Sequence, residues 1–367
     1  MTVTLPRWYD FHAHFRQGPG MTAFLAAHGE MGCAGALAMP NTRPPVSRVV
    51  GENREDSWSI EGYGRMLEAQ AGAWMKRWLV PLYLTREANA ETIEEGVTSG
   101  LLQACKYYPP HGTTNADHGV PIEEWIGSDV LRVMEERGVP LCLHGERHGL
   151  AGQDYFDRDH SAETVFYQEW APRLREAHPR LRLVCEHITT KEAVAFVSQC
   201  GEGVGATITP QHLLFTVGHL LQGLKYHLYC LPLVKFEEDR AALREAVRTP
   251  GQRQFFAGTD SAPHVAKMTP CGCAAGCFTG GIAPQLYAMG FEGDGEWSVE
   301  DGEEVFRQFL CENGPAFYGW PVPTETFALV HEPEEELPRV VTEEGDEVTR
   351  LTEGMELSLR WRIEKKA

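Results

Sequence analysis

Short runs of apolar, β-branched and aromatic residues recur along the chain, each bounded by Gly, Pro, Asn or Asp, and eight of them read as strands. They lie at 7–14 (RWYDFHAH), 34–40 (AGALAMP), 79–84 (LVPLYL), 101–107 (LLQACKY), 140–145 (PLCLHG), 181–188 (LRLVCEHI), 204–209 (VGATIT) and 255–260 (FFAGTD). Between most of them the apolar positions take helical spacing, over 87–99, 129–137, 161–177, 190–199 and 236–248. Thr189 with Glu192, and Ser298 with Asp301, have the spacing of a capping box at two helix starts. Strands that are apolar throughout suit a parallel sheet covered on its outside, and eight strand–helix repeats are what a (β/α)8 TIM barrel requires. A doubly wound sheet is the alternative that the pattern leaves open.

No linker or shift of composition breaks the alternation before about residue 315, so residues 1–321 are expected to form one α/β barrel domain. Residues 322–367 change character. The acidic run Glu332 to Glu336 is followed by the RVV and LSLRWRI segments, which predict a strand-rich C-terminal extension packed on the barrel.

With 367 residues, 43% hydrophobic and 23% charged, the chain has material for a large core, and its composition excludes collagen-like and low-complexity classes. The balance of 33 basic against 52 acidic residues, net -19, argues against nucleic acid and anionic membranes as partners, because phosphate binding needs clustered Lys and Arg. No stretch approaches the roughly 18 apolar residues of a membrane span. The start, MTVTLPRWYDFHAHFR, lacks the charged head and apolar run of a signal peptide, so a cytoplasmic location is expected. The ten Cys lie mostly in apolar runs, as reduced core thiols do. Cys271, Cys273 and Cys277 read either as a packed Gly-rich loop or as an incomplete metal site.

The chemistry gathers at strand ends. His12 and His14 sit two apart at the end of the first strand, so both side chains point to one face; a metal pair and an exposed HxH both fit. Lys106, His144, His187 and Asp260 end later strands. Alone, each reads equally as structural, but in a barrel these ends converge on one mouth, where active sites of this fold lie. Four imidazoles and a carboxylate suit zinc. Lys106, between Cys105 and Tyr107, would be buried and partly deprotonated; a free amine can add CO2 to give a bridging carbamate, while a plain ion pair is the other reading.

Eight segments carry a resemblance: DFHAHFRQG at 10–18, AMPNTRPPV at 38–46, ACKYYPPHGTTNADHGV at 104–120, PLCLHGE at 140–146, EHITTKEA at 186–193, TITPQHLLF at 207–215, YCLPLVK at 229–235 and GTDSAPH at 258–264. In these, over nearly its whole length, the chain resembles the class II dihydroorotases of the amidohydrolase superfamily. CGCAAGCF at 271–278 also resembles a family segment, which favours the loop reading of its cysteines.

The resemblance implies two zinc ions per subunit. His12, His14, carboxylated Lys106 and Asp260 would hold one; Lys106, His144 and His187 would hold the other, with a hydroxide between them. It implies substrate contacts from Arg16, Asn41, Leu231, Ala262, His264 and Ala275, and a loop at 108–119 whose Thr113 and Thr114 close on the substrate. The implied reaction is the reversible interconversion of N-carbamoyl-L-aspartate and L-dihydroorotate in pyrimidine biosynthesis, with Asp260 moving the proton. Two Zn2+ against a carbamate, a carboxylate and a hydroxide leave a centre of about +1, which accommodates an anionic substrate despite the acidic chain.

Arg16 offers a planar fork for the substrate carboxylate, although a strand-end salt bridge would also use it, and Asn41 in PNTRPP reads also as a turn residue. His212, in TPQHL, is expected just behind the ligands. The resemblance further implies a homodimer. Other readings are a hydantoinase-like or allantoinase-like cyclic amidohydrolase, and a non-catalytic assembly partner.

Overall fold

The computed structural model describes residues 1–364 except 74, 271, 294, 296 and 334–336. Eight parallel strands form the barrel: β1 (Trp8–Ala13), β2 (Cys33–Ala38), β3 in two pieces (Arg77–Leu79 and Leu82–Tyr83), β4 (Cys105–Tyr107), β5 (Leu141–His144), β6 (Leu183–Glu186), β7 (Val204–Ile208) and β8 (Phe255–Ala257). β3 is divided because Pro81 has no N–H to give a ladder. Its first piece pairs with β2, Gly35 opposite Arg77, and its second with β4, Tyr83 opposite Lys106. The seam between β8 and β1 closes just past β8, where Asp260 N–H donates to His12 O at 2.8 Å and His14 N–H to Ser261 O at 2.9 Å. This closure excludes the doubly wound alternative.

Helices cover the outside, among them Ala90–Thr98, Asp129–Arg137, Lys191–Gln199 and Glu237–Arg248, within the segments of helical spacing. The expected 161–177 helix is Ala162–Val165 and Ala171–Ala177 joined by a π turn. Both expected capping boxes shift. Thr190, not Thr189, caps Lys191–Gln199 by accepting from Ala193 N–H at 3.2 Å, and the hydroxyls of both threonines donate to Glu163. Ser298 accepts from the N–H groups of Glu300 and Asp301 in a turn, and the next helix starts later, at Glu303–Arg307.

The barrel interior is packed with side chains. Tyr9, Phe11, Leu37, Leu79, Cys142 and Phe256 fill it, and Phe11 lies between Phe256 (5.6 Å, edge-on) and Tyr318 (4.9 Å, stacked). Helix Asn313–Tyr318 and Trp320 plug the end where strands begin; Tyr9 Oη donates to Pro321 O there. Gly314 allows this approach, since a Cβ would overlap the Phe11 ring. This floor leaves the opposite end for chemistry.

Beyond the barrel, Thr326–Val330 pairs antiparallel with the N-terminal strand Thr2–Pro6 on one side and with Arg362–Glu364 on the other. A short bridge, Val341 with Glu347, folds the intervening segment back towards the mouth. Part of the acidic run, 334–336, lies outside the described residues. Among the described residues no helix is long and apolar enough to cross a membrane.

Candidate active site

The expected site residues lie at or near the C-terminal ends of β1, β4, β5, β6 and β8. His144 and Glu186 are the last residues of β5 and β6 and stand opposite each other in register; His187 follows Glu186, and His14 follows β1. His12, His14 and Asp260 are buried, with ligand atoms within 4.8 Å of one another, and form the one such His/Cys/Asp/Glu group among the described residues. Asp260 Oδ1 lies 3.1 Å from His14 Nε2 and 3.4 Å from His12 Nε2. The other imidazoles continue this cluster by ring contact: His187 is 4.8 Å from both His12 and His144.

Lys106 is completely buried, its Nζ over the Tyr108 ring at 5.0 Å and without a hydrogen-bond partner. Burial lowers its pKa, against the pull of Glu186 and Asp260. His187 Nδ1 is also buried without a partner. Two orphaned nitrogens beside a carboxylate and three further imidazoles are a donor set that fits a borderline cation such as zinc. Burial favours the neutral form, which ligation requires, at two of the imidazoles: His14 falls to about 4, and His187 well below its ordinary value with help from its imidazole neighbours. For Asp260, burial alone would raise the carboxyl, but the His14 hydrogen bond and the fields of His12, His14 and His144 bring it to about 2.

Three carboxylates absent from the expected set hold this cluster. Glu186 Oε2 accepts from His12 Nδ1 at 2.7 Å and from the Thr207 hydroxyl at 2.6 Å. Asp10 accepts from His12 N–H, Thr259 N–H and the Thr259 hydroxyl, joining the two strands that carry His12 and Asp260. Glu146 Oε2 accepts from His144 Nε2 at 2.9 Å, which leaves His144 Nδ1 free for a cation. The sequence signal was their adjacency to the ligands, in DFH, EH and HGE.

Backbone strain concentrates here. Arg16, His187 and Asp260 have φ of 53°, 41° and 49°, and His111 and Asn115, at 55° and 58°, flank Thr113 and Thr114. Left-handed conformations in non-glycine residues persist where surrounding contacts over-determine them, typically at functional sites.

The residues expected to contact substrate fall on adjoining segments above the cluster. Arg16, Thr114 and His264 line a cavity of about 440 Å3, whose outer wall includes Thr342, Glu344 and Asp346 from the C-terminal segment. Asn41 Nδ2 donates to Thr114 O at 2.8 Å, and the Thr114 hydroxyl donates to Ala275 O at 3.3 Å, so the 108–119 loop is docked over the mouth. His264 Nε2 donates to Ala275 O at 2.8 Å and lies 3.3 Å from Arg16 Nη2. Burial and the Arg16 charge lower His264 to about 3, so it is neutral near pH 7. Ala262 N–H donates to Cys277 O, and Gly276 N–H to Tyr229 O, which brings the Leu231 segment alongside. Leu231 and Thr113 have no direct bond to the cluster; Thr113 closes its own turn through Ala116 N–H. His212, expected behind the ligands, accepts from the Thr209 hydroxyl and donates to Pro232 O, supporting that same segment. Cys273 is half-buried and Cys277 buried, both free thiols, while Cys271 lies outside the described residues.

No family model matches the chain. It is 40% identical to the dihydroorotase of Halorhodospira halophila over 365 residues, 99% of each chain. Among solved structures, the dihydroorotase of Saccharomyces cerevisiae in complex with 5-fluoroorotic acid superposes with a TM-score of 0.84 at 23% identity, covering 99% of this chain and 98% of that one. L-Hydantoinase from Arthrobacter aurescens gives 0.73 at 15% identity, covering 98% of this chain and 82% of that one. At such identities the two structures speak for the barrel fold.

Proposed function

The chain belongs to the dihydroorotase family of amidohydrolases, enzymes that interconvert L-dihydroorotate and N-carbamoyl-L-aspartate in pyrimidine biosynthesis, and from that premise we propose how its own residues perform the reaction. His12, His14, Lys106 and Asp260 would hold one zinc ion, and Lys106, His144 and His187 a second, with Lys106 serving as its Nζ carbamate. The observation that carries this reading is the buried, unpartnered Lys106 Nζ beside the linked His12, His14 and Asp260. When bound, the zinc pair supplies a nucleophilic hydroxide at neutral pH and Lewis-acid polarisation of the ring carbonyl.

The protein supplies the rest. Glu186 fixes the His12 tautomer with Nε2 facing the site, and Glu146 does the converse for His144. Asp260, ionised at neutral pH, takes the proton of the nucleophile and delivers it to the departing ring nitrogen; the route reverses for ring closure. Arg16 provides a charged fork for the substrate carboxylate, and His264, neutral, and Asn41 complete the clamp. Docking of Thr113 and Thr114 excludes water during the reaction. Leu231, Ala262 and Ala275 shape the pocket around the ring. The described residues beyond 321 act as an extension packed on the barrel, and the enzyme works as a cytoplasmic homodimer on a small-molecule substrate.

The test is ring opening of L-dihydroorotate beside a hydantoin control, before and after metal removal by a chelator and zinc return. Metal-dependent turnover of dihydroorotate alone supports the reading. Turnover of the hydantoin alone would replace the carboxylate clamp with a hydantoinase-like pocket, and inactivity on both with zinc bound would favour an assembly partner.

A further inference from the structure

His187 occupies a left-handed backbone conformation (φ 41°) in a residue with a full side chain, so something must hold the turn that follows it. On one side Thr207 does so, its hydroxyl accepting from His187 N–H at 2.7 Å. On the other side stands Glu163, from the short helix Ala162–Val165, its side chain buried in the protein. Glu163 Oε1 accepts from Thr189 N–H at 2.7 Å and from Thr190 N–H at 3.3 Å, and both threonine hydroxyls also donate to its carboxylate. The Thr190 hydroxyl in turn accepts from Ala193 N–H, so the same carboxylate braces the start of helix Lys191–Gln199.

A carboxylate with this many donors is not there for charge alone. Its Oε2 also lies 3.5 Å from Nζ of Lys235, a buried lysine at the end of the YCLPLVK segment whose ammonium donates to Leu233 O at 2.8 Å. One buried group therefore touches the turn that aims His187 and, through Lys235, the segment that carries Leu231.

We infer that Glu163 is a positioning residue that holds His187 in its ligating orientation and couples it, through Lys235, to the substrate-facing segment 229–235. The inference rests on the reading of His187 as a ligand. Removing the carboxylate frees the strained turn to relax, which weakens the metal at His187; removing only the ammonium leaves the Thr189 and Thr190 bonds in place and loosens only the substrate segment. Partners that orient a ligand in this way typically contribute about 10- to 100-fold to metal affinity.

The experiment uses the zinc-loaded, full-length protein and three variants, Glu163→Gln, Lys235→Met and His187→Ala. Zinc per subunit is measured by elemental analysis after dialysis against graded chelator, with KM, kcat and the thermal midpoint in parallel. Glu163→Gln is expected to lose one zinc at about 10-fold lower chelator concentration and to raise KM; Lys235→Met is expected to retain zinc as the parent does and to raise KM several-fold. A folded Glu163→Gln that retains zinc like the parent overturns the inference, as does a folded Lys235→Met with the parent KM. If Glu163→Gln does not fold, Lys235→Met decides the coupling by the same two outcomes. His187→Ala retaining both zinc ions would instead overturn the ligand reading itself, and the inference with it.

Discussion

Glu186 reaches from the end of β6 to accept the Nδ1 hydrogen of His12 at 2.7 Å, so the first strand's leading imidazole is aimed by a carboxylate on another strand. Its second donor, the Thr207 hydroxyl, comes from β7 and also accepts from His187 N–H, which links the two halves of the cluster in three bonds. Replacing the carboxylate by an amide, Glu186→Gln, keeps the volume and loses the strong acceptor. Zinc affinity is expected to fall about 10- to 100-fold with the fold retained, as read by chelator competition and circular dichroism.

Asp260→Asn is expected to lower kcat by about 10^2- to 10^4-fold, the usual worth of a positioned acid–base group, while KM changes little. Initial rates in both reaction directions check it. Because the same proton route runs in both directions, kcat/KM must fall by the same factor in each; a variant that keeps the parent rates would remove Asp260 from the proton transfer.

The docked loop depends on Thr114 more than on Thr113. Thr114 O accepts from Asn41 and its hydroxyl reaches Ala275, whereas Thr113 bonds only within its own turn. Thr114→Ala is therefore expected to lower turnover more than Thr113→Ala, with zinc content unchanged in both. Steady-state kinetics with metal analysis on the same preparations decide it.

His264 falls from 6.5 to about 3 on folding because burial and the Arg16 charge oppose its protonation. The unfolded chain thus binds the proton more readily, so stability is full above the unfolded value and is lost as pH falls from about 6.5 towards 3. Between pH 7 and 4 the thermal midpoint of metal-free protein is expected to drop, and His264→Asn to drop less steeply. Equal slopes would remove His264 from the acid lability.

Gly314→Ala places a methyl against the Phe11 ring, itself fixed between Phe256 and Tyr318. Overpacking of this kind costs about 1–3 kcal/mol. Urea unfolding should show that loss while the metal content is preserved, since the change lies at the opposite end of the barrel from the ligands.

The side chains that cluster at the mouth were legible in the sequence because a barrel strand ends at a recognisable place, and a His or Lys there stands out against an apolar run. The carboxylates that aim them were not. Glu146 follows His144 by two residues and Glu186 closes β6, and nothing local says which imidazole each one faces: the partner of Glu186, His12 on β1, is brought near only by folding. The same limit explains the shifted cap at Thr190. Local spacing favours Thr189, whereas folding brings in the Glu163 carboxylate, which takes the N–H groups and hydroxyls of both threonines, and the helix begins one residue later. Pro81 was visible as a residue, but its effect, a strand that pairs with one neighbour before it and with the other after it, required the register.

The sheet that joins Thr2–Pro6 to Thr326–Val330 makes one strand wait for another that lies far along the chain. Val3 and Leu5, buried in the folded protein, gain their strand partners Leu329 and Phe327 only when these distant segments meet. The barrel's closing seam is deferred in the same way, because β1 must pair beside Ser261. Contacts so distant in sequence form late and slowly. The mouth that gathers His12 and Asp260 therefore completes late in folding.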